Sequence, residues 1–273
     1  PVQRPVDPRA LQHKRRLRRR REGVNVRNKV ILVTGGAGGL GAEMVELLCE
    51  NGAKLYILDL DVQKGEELEK GMRKLSYSAT FLKLDLTSEE AWQEVVEKIV
   101  AAEGRIDVLV NNAGINIRKP IEEMNFSEFN TMMAVNVGSV FLGTKYVLPV
   151  MRKQGGGAII NTSSVCGLIG HRYTPEAYTT TKGAVTLLTK SIASRYGHEN
   201  IRCNSIHPST VDTPLVQEMF KDPVKKQQRL DEVPLGRLAT SRDVANAVLY
   251  LASDEAAFIN GIALPVDGGV TCC

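Results

Sequence analysis

A short apolar run that empties into a glycine-rich turn constrains this chain more than any other feature. Lys29 to Thr34 (KVILVT) leads without a spacer into Gly35-Gly-Ala-Gly-Gly-Leu-Gly41, and an amphipathic stretch then reaches Asn51-Gly52. A β-rich run followed by a helix-periodic one reads as strand, turn, helix. Glycines let the backbone turn tightly and approach a ligand. The helix start adds free N–H groups and the positive end of a dipole, a combination that suits a pyrophosphate. The spacing, Gly-x-x-x-Gly-x-Gly at 35, 39 and 41, departs from the general G-x-G-x-x-G fingerprint.

The same alternation continues. Lys54 to Leu58 is a second strand ending in Asp59, and Gln63 to Leu75 is a charged helix. Thr80 to Leu84 is a third strand, ending in Asp85-Leu86 before a Ser/Thr-capped helix from Ser88 to Glu103. Asp107 to Val110 is a fourth, running into Asn111-Asn-Ala-Gly114. This order predicts a parallel sheet with helices on both faces, and ligands at the C-terminal ends of its strands. Asp85, Asn112, Ala113 and Gly114 lie at such ends. A carboxylate at Asp59 suits the hydroxyls of an adenosine ribose and repels a 2′-phosphate. With no Arg or Lys at 36–38 or 60 to receive that phosphate, the cofactor reads as NAD; the competing reading of Asp59 is a surface turn acid.

Further on, a long helix is expected from Ser127 to Lys153, with Asn136 as a polar break in its apolar stripe. Ala158 to Asn161 is a fifth strand delivering Thr162-Ser163-Ser164, and a second long helix follows from Pro175 to Tyr196. Ile201 to Ile206 is a sixth strand, with Pro208 to Pro214 as its loop. Residues 215–233 are polar and Lys-rich; Asp243 to Leu251 is a helix and Gly261 to Val266 a last strand. Tyr178 and Lys182, four apart on the second long helix, share a face. An ammonium within roughly 4–6 Å favours the phenolate and draws the tyrosine down from its reference value of about 10. Such a pair can exchange a proton with an alcohol or carbonyl oxygen; by itself the spacing also recurs by chance.

Charge is unevenly spread. Residues 1–23 hold nine Lys or Arg against two acids, a net of +7 in a chain of +4, so the body from residue 24 carries −3. No nucleic-acid surface is expected on that body. Residues 1–28 read as a basic extension expected to be disordered, and 29–273 as one domain. The tail reads as an arm for nucleic acid or a membrane surface, as a transit peptide, or as a read-through artefact. In the last case Arg20-Arg-Glu-Gly23 is a translated purine-rich ribosome-binding site, and the true start is Val24 or Val26. No apolar run reaches the roughly 18 residues of a membrane span. Five scattered cysteines without ligand spacing suit a reducing compartment, the cytoplasm, and no metal.

Taken together, Thr34 to Gly41, Asp85, Asn111-Asn-Ala-Gly114, Asn136, Ser164, Tyr178 with Lys182, and Asp267-Gly-Gly269 resemble the short-chain dehydrogenase/reductases, over residues 28–270. The resemblance implies a three-layer, doubly wound, Rossmann-like α/β fold of about seven strands. It implies that Gly35, Gly39, Leu40 and Gly41 hold the pyrophosphate, Asp59 the ribose, and Asp85 with Leu86 the adenine. Asn112, Ala113 and Gly114 would line the cleft, and Pro208, Val211 and Thr213 would lie at the carboxamide. Tyr178 would be the acid/base, Lys182 its partner on the nicotinamide ribose, Ser164 the substrate's hydrogen-bond partner and Asn136 the holder of a relay water.

Three departures stand out. Ser209 replaces a usual glycine, which asks for that glycine's backbone or a shifted loop. Ser164 precedes Tyr178 by fourteen residues rather than the commoner thirteen, enlarging the loop 165–177; Ser163 is its rival. Thr179 to Thr181 are unusually polar but are expected to point away from Tyr178. Val165, Cys166, Leu168, Ile169, Ile115, Leu215, Val216 and Met219 suggest a largely apolar substrate pocket. His171 and Arg172 read as a solvated loop or as contacts to a polar substituent. The substrate is then a secondary alcohol or ketone, possible ring systems included. The alternatives are a 3-oxoacyl thioester on a phosphorylated carrier met by Lys221, Lys225, Lys226 and Arg229, and a silent NAD-binding regulator. The resemblance also implies a homotetramer.

Overall fold

The computed structural model describes residues 24–272; the tail at 1–23 and Cys273 lie outside the described residues. The strands are β1 (Val30–Thr34), β2 (Lys54–Asp59), β3 (Ala79–Lys83), β4 (Val108–Asn111), β5 (Gly157–Thr162), β6 (Ile201–Pro208) and β7 (Ala263–Val266). The helices are α1 (Gly39–Glu50), α2 (Val62–Lys74), α3 (Glu89–Glu103), α4 (Phe126–Met133), α5 (Ser139–Gln154), α6 (Glu176–Tyr196), α7 (Pro214–Met219), α8 (Pro223–Asp231) and α9 (Ser241–Ala252). All seven strands pair in parallel, in the order β3-β2-β1-β4-β5-β6-β7. This is the expected Rossmann-like α/β fold.

Strand side chains alternate between faces, and here both faces are covered. Ile31 and Val33 pack with Met44, Leu48, Val244 and Val248 from α1 and α9. Leu32 and Leu109 pack on the other side with Trp92, Ile99, Val147 and Ile192 from α3, α5 and α6. Double burial explains why the strands read as unbroken apolar runs; each such aliphatic side chain contributes about 1.5–3 kcal/mol. The order in which strands are added reverses at β1, with β2 on one side and β4 on the other, which opens a crevice at the C-terminal ends of β1 and β4.

Two expectations are corrected. Residues 24–28 belong with the folded body: Val26 is fully buried in the core, and Asn28 N–H donates to Gly52 O at 2.8 Å. The long helix runs from Phe126 to Gln154 but contains a π turn at Ala134–Gly138, which carries Asn136. By length and composition this helix is apolar enough to cross a membrane. Its Val147 and Met151 pack against the sheet.

Candidate active site

The glycine turn closes the C-terminal end of β1. Gly35 and Gly39 take left-handed backbone, φ +60° and +54°. A Cβ on Gly41 would stand 2.0 Å from Gly35 O, so only glycine lets α1 start so close to the turn. Gly38 caps α1 without a side chain, and no acid sits in its first turn. The helix N–H groups are therefore not claimed by a side-chain cap.

Three polar groups fix this crevice. Asp59 accepts from Ala37 N–H at 3.0 Å and Asp61 N–H at 3.1 Å and keeps spare acceptor capacity. Asn112 Nδ2 donates to Thr34 O at 3.2 Å and Gly35 O at 3.4 Å, tying β4 to the turn. Asp85 accepts from the Thr87 hydroxyl at 2.7 Å and N–H at 2.9 Å, which holds its carboxyl below the usual range. With Gly38, Leu40, Leu86, Ala113, Gly114 and Ile115 they line a cleft of about 520 Å³. Glycine turn, uncapped helix start and carboxylate together fit a dinucleotide at this switch point.

Leu40 also lines a second cleft of about 570 Å³, whose walls include Ser164, Tyr178, Val211, Thr213 and Val216. Lys182, 3% exposed, donates to Thr162 O at 2.8 Å, and its Nζ lies 5.5 Å from the Tyr178 ring centre. Burial draws the lysine down to about 8. Burial pushes Tyr178 up to about 12, with the nearby Cys166 thiol adding to it; the Ser164 hydroxyl and the Arg118 charge oppose the rise. Burial is the largest influence on this phenol, and the Lys182 ammonium is directed to the Thr162 carbonyl and over the ring.

Ser164 caps a short turn at Val165–Gly167, accepting from Cys166 N–H at 3.3 Å. Ser163 is occupied elsewhere, donating to Lys182 O at 2.9 Å, so of the two it is Ser164 that lines the cleft. His207, unremarked in the sequence, holds this segment. Its Nδ1 lies 2.8 Å from Ser164 O and its Nε2 2.8 Å from Ser205 Oγ. A carbonyl only accepts, so Nδ1 carries the proton; burial, the largest influence, draws His207 down toward the neutral form.

Asn136 is buried and clamps the segment after β4. Its Oδ1 accepts from Ile115 N–H at 2.8 Å, and its Nδ2 donates to Ile115 O at 2.9 Å and Thr181 Oγ1 at 3.0 Å. Thr181, expected to point away from Tyr178, thus meets Asn136. A Cβ on Gly114 would lie 3.2 Å from Asn136 Oδ1 and 3.4 Å from Lys182 Nζ, so a glycine keeps the space between them open. After Pro208, Ser209 shows no left-handed backbone, and the glycine geometry is not required. Its hydroxyl is buried without a partner and lines the cleft. Val211 pairs with Ala239, and Thr213 Oγ1 accepts from Val216 N–H to cap α7.

The substrate wall is less apolar than expected. Val165, Cys166 and Val216 line it, but so do Arg118, Lys119, Arg172 and Arg229. Leu168 and Ile169 are exposed, Ile115 lines the neighbouring cleft, and the side chains of Leu215 and Met219 lie outside the described residues. The loop 165–177 is tied to α8. Arg229 donates to Glu232 at 3.1 Å and to Tyr173 O at 3.2 Å, and lies 3.2 Å from His171 Nε2.

A family profile described as "Enoyl-(Acyl carrier protein) reductase" matches residues 35–271. The chain is 43% identical over 246 residues to cyclopentanol dehydrogenase of Comamonas sp., covering 90% of this chain and 98% of that one. It is 40% identical over 241 residues to 3-alpha-(or 20-beta)-hydroxysteroid dehydrogenase of Mycobacterium bovis, covering 88% of each. Among solved structures, levodione reductase superposes with a TM-score of 0.85 at 32% identity, over 90% of this chain and 99% of that one. The chain belongs to the short-chain dehydrogenase/reductase family, and is an oxidoreductase of the kind whose relatives are secondary-alcohol dehydrogenases.

Proposed function

We propose that the protein is an NAD-dependent dehydrogenase of secondary alcohols, ring alcohols among them, acting in the reducing cytoplasm as a homotetramer. The observation that carries this reading is the convergence of Ser164 and Tyr178 on one cleft that adjoins the glycine turn, with Lys182 packed beneath the tyrosine ring. When bound, the nicotinamide supplies or accepts the hydride. Ser164 Oγ orients the substrate oxygen. Tyr178 exchanges the proton at that oxygen. A phenol pushed up to about 12 holds its proton at neutral pH and is set to give it to a carbonyl. Taking a proton from an alcohol requires positive charge nearby, to which Arg118 contributes. Asn136 and Gly114 frame the space beside Lys182 through which a water relays the proton. Asp59 selects NAD over NADP through its carboxylate, and the names of the two relatives support the substrate class.

Part of the charge behind the thioester reading is already paired. Lys221 pairs with Glu218 at 2.6 Å and Lys225 with Asp222 at 3.4 Å, both acids on the lysine's own segment, and Arg229 is held by Glu232. The test is nicotinamide absorbance with NAD and NADP against cyclic and acyclic secondary alcohols, using the wild type and Tyr178→Phe. Turnover with NAD, abolished in the variant while NAD affinity stays within about threefold, is the expected result. NADP preference overturns the role of Asp59, and NAD binding without turnover on any alcohol turns the reading to the silent regulator.

A further inference from the structure

One loop, 165–177, joins Ser164 to Tyr178, so what holds it bears on how the two hydroxyls meet. Its head is pinned. Ser164 caps the turn at Val165–Gly167, and Thr186 Oγ1 donates to Gly167 O at 3.3 Å. Its foot lacks such a cap: α6 starts after Pro175 without a side-chain cap, and Tyr178 sits in the first turn. That turn takes its position from packing and from the residues that lead into it. Those residues are held by Arg229 of α8. Its Nη2 donates to Tyr173 O at 3.2 Å. Its Nη1 donates to Glu232 at 3.1 Å and lies 3.2 Å from His171 Nε2. The guanidinium also lies 4.9 Å from the Tyr173 ring centre. From there the contacts run back to the head. His171 Nδ1 lies 3.1 Å from Thr174 Oγ1, and Cys166 Sγ donates to the same hydroxyl at 3.5 Å.

We infer that Arg229 is a positioning residue for the reaction: its guanidinium fork fastens residues 171–175 to α8 and through them sets Tyr178 against Ser164 at the substrate oxygen. This rests on the dehydrogenase reading and deepens it. Arg229 lines the cleft, but its N–H groups are taken up by a carboxylate, a carbonyl and an imidazole. It therefore acts through the loop and not on the substrate. Partners in several directions call for a planar fork of fixed donors, which the single ammonium of a lysine does not present. The tie matters because the reaction is steep in geometry: a misplacement of about 1 Å, even from a change far from the chemistry, costs about 10²-fold in rate. A fastening on α8 thus reaches the acid/base without touching it.

The experiment compares the wild type, Arg229→Met and Arg229→Lys at a temperature where circular dichroism shows all three folded. Rates are read with NAD and cyclopentanol, and NAD affinity by calorimetry. Amide hydrogen exchange is read without ligand at Thr174 and Thr179, whose N–H groups donate to His171 O at 3.0 Å and Pro175 O at 3.1 Å. In Arg229→Met, kcat should fall about tenfold or more while KM and NAD affinity stay within about threefold. Exchange at both amides should quicken about tenfold with α9 unchanged, the mark of a local loosening. Arg229→Lys should behave as the methionine variant does, since it keeps the charge and loses the fork. A rate restored by lysine would mean that the charge itself serves the substrate, and it overturns the inference. So does a kcat in Arg229→Met within about threefold of wild type, or exchange that quickens nowhere. A variant that is merely less stable exchanges faster throughout and keeps its kcat, which also overturns it. Should the wild type turn over no secondary alcohol, the dehydrogenase reading falls and the catalytic half of the inference with it, while exchange still decides whether Arg229 holds the loop.

Discussion

Lys182 is almost wholly buried, and its amine is drawn down to about 8 by that burial. Below that pH both folded and unfolded chains carry the proton, and the folded state bears a desolvated cation. Between about 8 and the reference value of 10.5 the folded protein gives up the proton first. The unfolded chain then binds more protons, so stability rises with pH across that window. The desolvation cost is on the order of 3 kcal/mol, against which the hydrogen bond to Thr162 O returns about 1 kcal/mol. Lys182→Met should therefore abolish turnover yet be roughly 2 kcal/mol more stable than wild type at pH 7, with the gap shrinking by pH 10. Urea midpoints at the two values measure it, and a variant less stable at pH 7 contradicts the account. The two serines separate in the same manner. Ser164→Ala should lower kcat by about 10²–10³, as loss of a donor at the reacting oxygen does. Ser163→Ala, which loses bonds to Lys182 O and Thr186 Oγ1, should lose about 1–2 kcal/mol of stability with kcat within about threefold.

At the scale of elements, the contact between the turn and α1 makes a sharp demand. Gly41→Ala would drive a methyl into Gly35 O, so the turn must open. Stability should fall by about 1–3 kcal/mol, the usual cost of overpacking, and NAD affinity at least tenfold. Titration calorimetry reads the second, and undiminished binding would mean that the turn does not hold the dinucleotide. This element was legible in the sequence because its determinants are local: an apolar run, glycines at fixed offsets, a helical period. Tyr178 and Lys182 were legible for the same reason. The π turn at Ala134–Gly138 was not, since one extra residue per turn barely disturbs an apolar stripe, although Asn136 marked the spot as a polar break. The tie between Thr181 and Asn136 was not legible, since the two lie 45 positions apart. His207 was missed likewise, its carbonyl partner being Ser164, 43 positions away. The cationic wall joins Arg118 after β4, Arg172 in the loop before α6 and Arg229 on α8, a meeting that only the fold arranges.

For the whole molecule, the proposed tetramer is tested on the faces turned away from the sheet. Phe141 on α5 is 55% exposed and Leu187 on α6 is 68% exposed, and both helices bury their opposite sides in the core. The helix containing Phe141 is also apolar enough by composition to cross a membrane. A membrane span must satisfy the whole helix surface with apolar neighbours, but here Lys145 and Tyr146 of α5 contact Glu89 on α3. A partner copy laid against α5 and α6 would cover the apolar positions without needing to bury that ion pair. In the proposed tetramer, one pair of contacts runs through these helices and the other through the region of β7, where Phe258 is fully exposed. Introducing charge at the first should break only that one. Phe141→Glu with Leu187→Glu should halve the mass seen by light scattering, from four copies to two. The circular dichroism and core packing should stay as they are, since both substituted side chains face outward. Phe258→Glu should halve the mass independently, and the triple variant should be monomeric. A wild type that runs as a single copy without detergent, or a double variant that keeps all four, would show that these faces are not what joins the subunits.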